Sequence, residues 1–84
     1  MAEVIQRYTA QFRDERGALY TVLAYGAQTA DGTWAGWLEF HPVEQAGRVL
    51  RTERETTQPD RAALAYWASG LEPLYFEGAF TRAK

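Results

Sequence analysis

The chain contains no cysteine among its 84 residues, and it has a single histidine. The absence of cysteine excludes disulfides, thiolate metal sites and a cysteine nucleophile. One histidine, His41, with acidic residues scattered along the chain makes no recognisable metal-ligand spacing. We therefore expect neither a metal nor a cofactor.

The chain also lacks a block of charge of one sign. Nine basic and eleven acidic residues are mixed along it, and the net charge is −2. Phosphate binding needs clustered Lys and Arg, so a nucleic-acid partner is not favoured. Residues 1–7 lack the basic and apolar regions of a signal peptide. No apolar run approaches the ~20 residues that span a membrane. We expect a cytoplasmic protein without a membrane partner.

Aromatic residues are plentiful: three Trp, five Tyr and four Phe. Each can bury on the order of 150–250 Å², which is enough to build the core of one small domain over residues 1–84. A chain of this size buries only about 60–65% of its unfolded surface. Association with a partner would therefore add stability.

Three antiparallel strands are predicted, over residues 3–13, where apolar and polar residues alternate, and over 18–26 and 33–41, which are rich in apolar and aromatic residues. Turn signals separate them at 14–17, where a glycine closes a short hairpin, and at 30–32. The second strand is bulky on both faces, which predicts a central position covered on both sides. In the first strand Val4 is assigned to the apolar face. Pro42 ends the third strand, and residues 44–47 are predicted as a loop.

Residues 48–57, Arg-Val-Leu-Arg-Thr-Glu-Arg-Glu-Thr-Thr, are β-prone but have almost no apolar face. A half-buried strand would alternate apolar and polar residues. We therefore predict a fourth strand here that is an edge strand, a solvated face or a polar site.

A helix is predicted directly after this segment. Thr57-Gln58-Pro59-Asp60 resembles a capping box with Thr57 as N-cap. An apolar stripe at helical spacing follows, and Gly70 is a plausible C-terminal stop. The stripe consists of Leu64, Trp67, Ala68 and Leu71. Residues 74–81 are predicted as a last strand.

The predicted fold class is α+β: an antiparallel sheet of about five strands with one helix packed on one face, in the order ββββαβ. If the last strand pairs with the first, the spatial order is 5-1-2-3-4. Five strands make a sheet about 19–24 Å wide, whereas one helix covers about 10 Å. Either the sheet curls around the helix or a partner covers the rest. We expect a homodimer or another protein partner.

The polar segment has two interpretations. Arg51, Glu53, Arg54, Glu55 and Thr57 are candidate ligand-binding residues. Guanidinium groups, hydroxyls and free N–H groups at a helix start would bind an anion or a small ligand. The alternative is a ladder of cross-strand ion pairs that protects an exposed edge.

Catalytic candidates are few. Glu39 and His41 lie two residues apart on one strand face, as an acid–base pair would require, but an exposed histidine at a strand end is ordinary. We therefore expect no catalytic residue. A surface of aromatic and Arg side chains that stacks single-stranded nucleic acid is a further alternative. Its members would be Arg7, Arg13, Tyr20, Tyr25, Trp37 and Tyr75.

Three stretches, at 24–28, 32–40 and 50–59, resemble small bacterial proteins to which no activity is assigned. They read Ala-Tyr-Gly-Ala-Gln, Gly-Thr-Trp-Ala-Gly-Trp-Leu-Glu-Phe and Leu-Arg-Thr-Glu-Arg-Glu-Thr-Thr-Gln-Pro. The resemblance covers most of the chain and implies no activity, cofactor or site. We expect a small interaction or binding module that self-associates and is not an enzyme. The alternatives are a ligand-binding, anion-binding or enzymatic domain that uses residues 48–57, and single-stranded nucleic-acid binding.

Overall fold

The computed structural model describes residues 1–44 and 47–84, so two residues of the loop predicted at 44–47 lie outside the described residues. Five strands precede two helices. They are β1 (Glu3–Arg13), β2 (Leu19–Gln28), β3 (Trp34–Pro42), β4 (Leu50–Arg51), β5 (Thr56–Gln58), α1 (Arg61–Ser69) and α2 (Pro73–Arg82). The α+β class and the antiparallel sheet are confirmed. No helix among the described residues is long and apolar enough to cross a membrane.

The two predicted hairpin turns are present because glycine accepts their left-handed backbone. Gly17 has φ 85° and Gly32 has φ 91°, a region that disfavours other residues. The carboxylate of Asp14 accepts hydrogen bonds from the main-chain N–H groups of Arg16 and Ala18, both at 2.9 Å. These contacts stabilise the tight connection between β1 and β2.

The sheet has the order β1-β2-β3, and both β4 and β5 pair with the far side of β3. β4 pairs with β3 at Glu39 and Phe40, and β5 pairs with it at residues 34–36. The fourth strand predicted at 48–57 is therefore an edge strand, as expected, but residues 52–55 divide it into two short pieces. Residues 48 and 49 belong to no strand.

The core lies between one face of the sheet and the two helices. Its largest fully buried side chains are Val22, Leu38, Phe40 and Leu64. The α2 helix adds aromatic rings. The Phe80 ring centroid lies 5.0 Å from that of Phe40 and 5.7 Å from that of Phe12. The apolar area that one helix could not cover is therefore covered within the chain by a second helix.

The α2 helix corrects the strand predicted at 74–81. Apolar residues spaced two and four apart fit a strand, but Phe76 and Phe80 are also spaced as on one face of a helix. The helix buries Phe76 and Ala79 and leaves Leu74 79% exposed. Pro73 lies in its first turn, where its missing N–H costs nothing. The spatial order 5-1-2-3-4 is therefore wrong, since no strand follows to pair with β1.

The α1 helix begins three residues later than predicted. Its N-cap is Asp60, whose Oδ1 accepts a hydrogen bond from the N–H of Ala63 at 2.8 Å. Thr57 cannot be the N-cap because it lies in β5, where it pairs with Ala35 of β3. The predicted apolar stripe is confirmed at Leu64, Trp67 and Ala68, with Leu64 fully buried, whereas Leu71 packs against the core from beyond the end of the helix. Gly70 is the C-cap, as expected.

A pair of glycines lets α1 lie close to the sheet. Gly26 and Gly36 are directly opposite each other on β2 and β3, and the two methyl groups of Leu64 lie over them. A Cβ atom at either glycine would come within 3.0 Å of a Leu64 methyl carbon. The helix is also joined to β1 by the hydroxyl of Tyr8, which donates to the carbonyl of Ala68 at 2.6 Å.

The free edge of the sheet at β1 is irregular. Its register with β2 shifts between Val4 and Gln6 and again between Arg7 and Gln11. The first shift turns Ile5 towards the core and places Val4 opposite Tyr25, on the other face, which corrects the assignment of Val4 to the apolar face. Bulges of this kind oppose pairing of an edge with another strand.

Candidate functional site

The sheet face opposite the helices, here called the open face, carries an organised group of polar and aromatic side chains. The register places Tyr25 of β2 beside Trp37 of β3, and Glu39 of β3 beside Arg51 of β4. His41 lies two residues beyond Glu39 on the same face. Sequence alternation predicted this face of β3, and the strand pairing adds Tyr25 and Arg51 to it.

Glu39 is the centre of this group although it is only 6% exposed. Its carboxylate accepts hydrogen bonds from Trp37 Nε1 at 2.9 Å and Arg51 Nη2 at 2.8 Å. His41 Nε2 lies 3.0 Å from its other oxygen. Burial raises the pKa of Glu39, but the hydrogen bonds from Trp37, Arg51 and His41 outweigh burial and hold the pKa below its usual value. Glu39 therefore stays ionised and holds Arg51 in place.

The aromatic rings of the open face pack against one another. The Tyr25 ring is nearly parallel to that of His41, at 10° and 5.8 Å between centroids, and to that of Trp37, at 19° and 6.3 Å. The guanidinium carbon of Arg51 lies 5.6 Å from the centroid of Trp37. The rings are thus already engaged with neighbouring groups. Of the other aromatics proposed for nucleic-acid stacking, Tyr20 is buried in the core.

The break in the edge strand at 52–55 depends on Thr52, which is 4% exposed. Its N–H donates to the carbonyl of Leu38 at 2.9 Å, and its Oγ1 accepts from the N–H of Leu38 at 3.1 Å. A side-chain hydroxyl thus replaces a main-chain carbonyl in the ladder. Pairing resumes where the N–H of Glu55 donates to Gly36 at 2.8 Å. Residues 53 and 54, which lie between these contacts, are exposed and belong to no strand.

Glu55 joins the edge segment to the first and last turns of α2. Its carboxylate accepts hydrogen bonds from the hydroxyl of Tyr75 and from Arg82, the latter at 2.7 Å. Burial raises the pKa of Glu55, but these two hydrogen bonds outweigh burial and lower it. Burial and the hydrogen bond to Glu55 raise the pKa of Tyr75 to about 12. The sequence did not predict the contact of Glu55 with Tyr75 and Arg82 because residues 74–81 were expected to form a strand. On a helix, positions 75 and 82 are two turns apart and share a face.

A groove of about 950 Å³ runs between the edge segment and the end of α2. Four of the five residues predicted to bind a ligand line it: Arg51, Glu53, Arg54 and Glu55. The groove is completed by Arg82 and Lys84 from the end of the chain and by Ala35 and Trp37 from the open face. Thr57 does not line it. Its Oγ1 instead accepts a hydrogen bond from Arg54 at 3.3 Å.

Ion pairs in this region do not form a ladder within residues 48–57. Arg51 pairs across the sheet with Glu39, and Glu55 pairs with Arg82 of α2. Within the described part of the chain, neither Arg54 nor Lys84 has a carboxylate at ion-pair distance. Among the residues that the structure describes, these two cations of the groove therefore have no acidic partner.

The main chain of Lys84 lies along the outer side of β4. Its N–H donates to the carbonyl of Arg51 at 3.0 Å, and its carbonyl accepts from the N–H of Arg51 at 3.3 Å. Two residues that exchange both main-chain hydrogen bonds form one pair of an antiparallel ladder. A single added residue thus occupies the sheet edge at this point.

Charge is unevenly distributed over the molecule. Six of the nine basic residues lie on the open face or line the groove. Four of them line the groove, and the strand register places the other two, Arg7 and Arg13 of β1, on the open face. The open face and the groove carry only three of the eleven acidic residues, at positions 39, 53 and 55. Three basic and eight acidic residues lie elsewhere. A chain of net charge −2 thus presents one positive side.

Within residues 1–44 and 47–84, no three His, Asp or Glu side chains are grouped so that they could hold a metal ion. The chain matches no protein-family model, no curated protein and no solved structure.

Proposed function

We propose that the protein is a binding module for an anionic partner, and that the partner binds at the groove and the adjoining open face. The observation that carries the proposal is the separation of charge: six basic residues against three acidic ones on this side of an acidic chain. A cleft in which one sign of charge predominates raises the local concentration of a ligand of the opposite sign, and the groove has four basic residues against two acidic ones.

The cations of the groove are partly preorganised. Arg51 is held by Glu39, and Arg82 is held by Glu55. A guanidinium group has five N–H donors, so each of these pairs leaves donors for a ligand. Arg54 adds donors that are not committed to a carboxylate. Bidentate recognition of carboxylate or phosphate is the chemistry that such donors favour.

Binding suits the site better than catalysis. A general base works best when its pKa lies near the operating pH, whereas the pKa of Glu39 is lowered. Both Glu39 oxygens are also engaged, one with Trp37 and Arg51 and the other with His41. The Glu39 carboxylate therefore holds its neighbours in position.

A titration with citrate and inorganic phosphate, followed by NMR, tests the proposal. Trp37 lines the groove, so the NMR signal of its indole N–H should shift on binding, whereas that of Trp67 in α1 should not. Arg54→Glu combined with Lys84→Glu should weaken citrate binding about tenfold or more, which corresponds to about 1.4 kcal/mol. Arg16→Glu combined with Arg61→Glu is the matched control.

The control pair changes the net charge equally but lies away from the groove, so it should weaken binding less than threefold. Binding should also weaken as salt is added, because screening reduces such attraction. Equal losses in the two double variants would show that only the overall charge matters, and an unshifted Trp37 signal would refute the proposal.

Self-association remains a prediction from the sequence, and the open face is a poor surface for it. Two copies joined there would bring the positive charges of Arg7, Arg13 and Arg51 together. The bulged edge of β1 also opposes strand pairing between copies. A native mass measurement at high micromolar concentration tests the prediction, which a purely monomeric mass would contradict.

A further inference from the structure

We infer that the anionic partner is an acidic peptide segment in extended conformation, which pairs through its main chain with the sheet edge at Arg51. The inference rests on the proposed function of the groove and names the class of partner. Strand addition to a sheet edge is a general mode of peptide recognition, in which main-chain hydrogen bonds supply affinity and side chains supply specificity.

The first support is that an extended backbone already occupies this edge. Lys84 exchanges both main-chain hydrogen bonds with Arg51, at 3.0 and 3.3 Å. The N–H and C=O of Arg51 therefore point outward, away from β3, with the geometry of an antiparallel pair. Lys84 occupies the position that one residue of a bound peptide would take.

The second support is the arrangement of side chains around that position. Successive residues of a strand point to opposite sides, and every second residue lies on the same side about 6.6–6.8 Å further on. Acidic residues of the peptide would meet the guanidinium groups of Arg54 and Arg82, which line the groove. Apolar residues would meet Ala35 and Trp37, which line it from the open face. A peptide that combines acidic and apolar residues therefore fits this lining.

The third support distinguishes a peptide from a nucleic acid. Single-stranded nucleic acids bind aromatic rings whose faces are free for stacking. Here the rings of Tyr25, Trp37 and His41 pack against one another, and Arg51 lies over Trp37. A phosphate backbone also has no N–H group to donate to the carbonyl of Arg51. An acidic peptide can pair with the basic side chains and also form main-chain hydrogen bonds with the sheet edge.

Four probes test the inference, each followed by the NMR shift of the Trp37 indole N–H. The first is an eight-residue peptide of alternating glutamate and valine with blocked ends. The second has glutamine in place of glutamate. The third carries N-methyl groups on the peptide nitrogens that would face the edge, which removes the main-chain donors and keeps the charge. The fourth is an eight-nucleotide single strand of thymidine.

The acidic peptide should bind at least tenfold more tightly than its glutamine form and several-fold more tightly than its N-methylated form. An N-methylated peptide that binds equally well would overturn strand addition. An oligonucleotide that binds more tightly than the acidic peptide would overturn the class of partner, and the proposed function would stand. If neither citrate nor any of the four probes shifts the NMR signal of the Trp37 indole N–H, the proposed function is wrong as well.

A pair of variants tests whether the peptide takes the place of Lys84. Lys84→Gln and Lys84→Pro both remove the charge, but only proline removes the N–H that donates to Arg51. Ala83 already has φ −68° and ψ 144°, a conformation that a following proline accepts. The acidic peptide should bind Lys84→Pro about twofold to tenfold more tightly than Lys84→Gln, the effect of one hydrogen bond. Equal or weaker binding to the proline variant would overturn displacement of Lys84.

Discussion

Replacement of Gly36 by alanine should destabilise the protein, although alanine is ordinarily the better residue within a strand. Gly36 faces Gly26 across the β2–β3 pair, and the methyl groups of Leu64 lie over both glycines. A Cβ at Gly36 would lie within 3.0 Å of Leu64 Cδ1, closer than a normal van der Waals contact. Leu64 is fully buried and its other methyl group lies over Gly26, so its side chain has little space to move aside.

The magnitude follows from two opposing effects. Overpacking a well-packed core costs about 1–3 kcal/mol. Replacing glycine in a strand recovers roughly 0.5–1 kcal/mol of backbone entropy. We therefore expect Gly36→Ala to lower the free energy of unfolding by about 1–2 kcal/mol. This is a large fraction of the stability of a small domain, which lies near the lower end of about 5–15 kcal/mol.

Urea unfolding followed by far-UV circular dichroism measures the effect, and Gly78→Ala is the matched control. Gly78 lies in α2, and a Cβ there would meet only Arg82 Nη1, at an ordinary 3.5 Å. Alanine should therefore stabilise the helix by about 0.5–1 kcal/mol. The same substitution should thus have opposite signs at the two positions.

A double-mutant cycle shows whether Leu64 is the cause. Leu64→Ala alone should cost about 2–5 kcal/mol, and Gly78→Ala can be added to every member of the cycle to keep it folded. Gly36→Ala should cost about 1–3 kcal/mol less when Leu64 is already alanine, because the overpacking penalty is then absent while the gain in backbone entropy remains. Additive effects, or a stabilising Gly36→Ala, would refute the close approach of α1 to the glycine pair.

Three further predictions concern polar contacts. The pKa of Glu39 is lowered in the folded state, so its ionised carboxylate should stabilise the protein fully above the unfolded pKa of about 4.3. This stabilisation should be lost as the pH falls through the lower folded pKa. Urea midpoints measured between pH 7 and 3 should therefore fall less steeply with pH in Glu39→Gln than in the unaltered protein. Thr52→Val leaves the N–H of Leu38 without its acceptor and should cost about 1–3 kcal/mol, whereas Thr52→Ser should cost much less in the same assay. Asp60→Ala should cost about 0.5–2 kcal/mol through loss of the N-cap, and equal destabilisation by Thr57→Ala would contradict the assignment of the cap.

The first half of the fold could be predicted because its signals are local. Strands expected at 3–13, 18–26 and 33–41 correspond closely to β1, β2 and β3. β1 shows alternation along most of its length, β2 and β3 are continuous runs of β-prone residues between turn signals, and each turn between them contains a glycine at positive φ. Alternation and turn chemistry act within a few residues of one another, so no knowledge of distant contacts is needed.

The second half could not be predicted because its local pattern is ambiguous. Phe76 and Phe80 fit both a strand and a helix, and only contacts with Phe12 and Phe40 show that the helical face is the one buried. The capping residue was misplaced for a related reason. Thr57 is a good N-cap by type, but its pairing with β3 keeps it in a strand.

The candidate site was found in part. The composition of residues 48–57 was enough to single out Arg51, Glu53, Arg54 and Glu55, all of which line the groove. Their partners depend on strand register and helix docking. The register brings Glu39 opposite Arg51, and α2 brings Arg82 to Glu55.

The sequence by itself determined the antiparallel β-rich first half, the edge position of the polar segment and the apolar face of α1, since each depends on local periodicity. Only the tertiary structure decided where the charges lie. Basic residues at positions 7, 13, 51, 54, 82 and 84 are far apart in the chain, and strand pairing and the docking of α2 bring them to one side. The net charge of −2 gives only the sum of the charges and not their places in the fold, so it could not reveal a positive face.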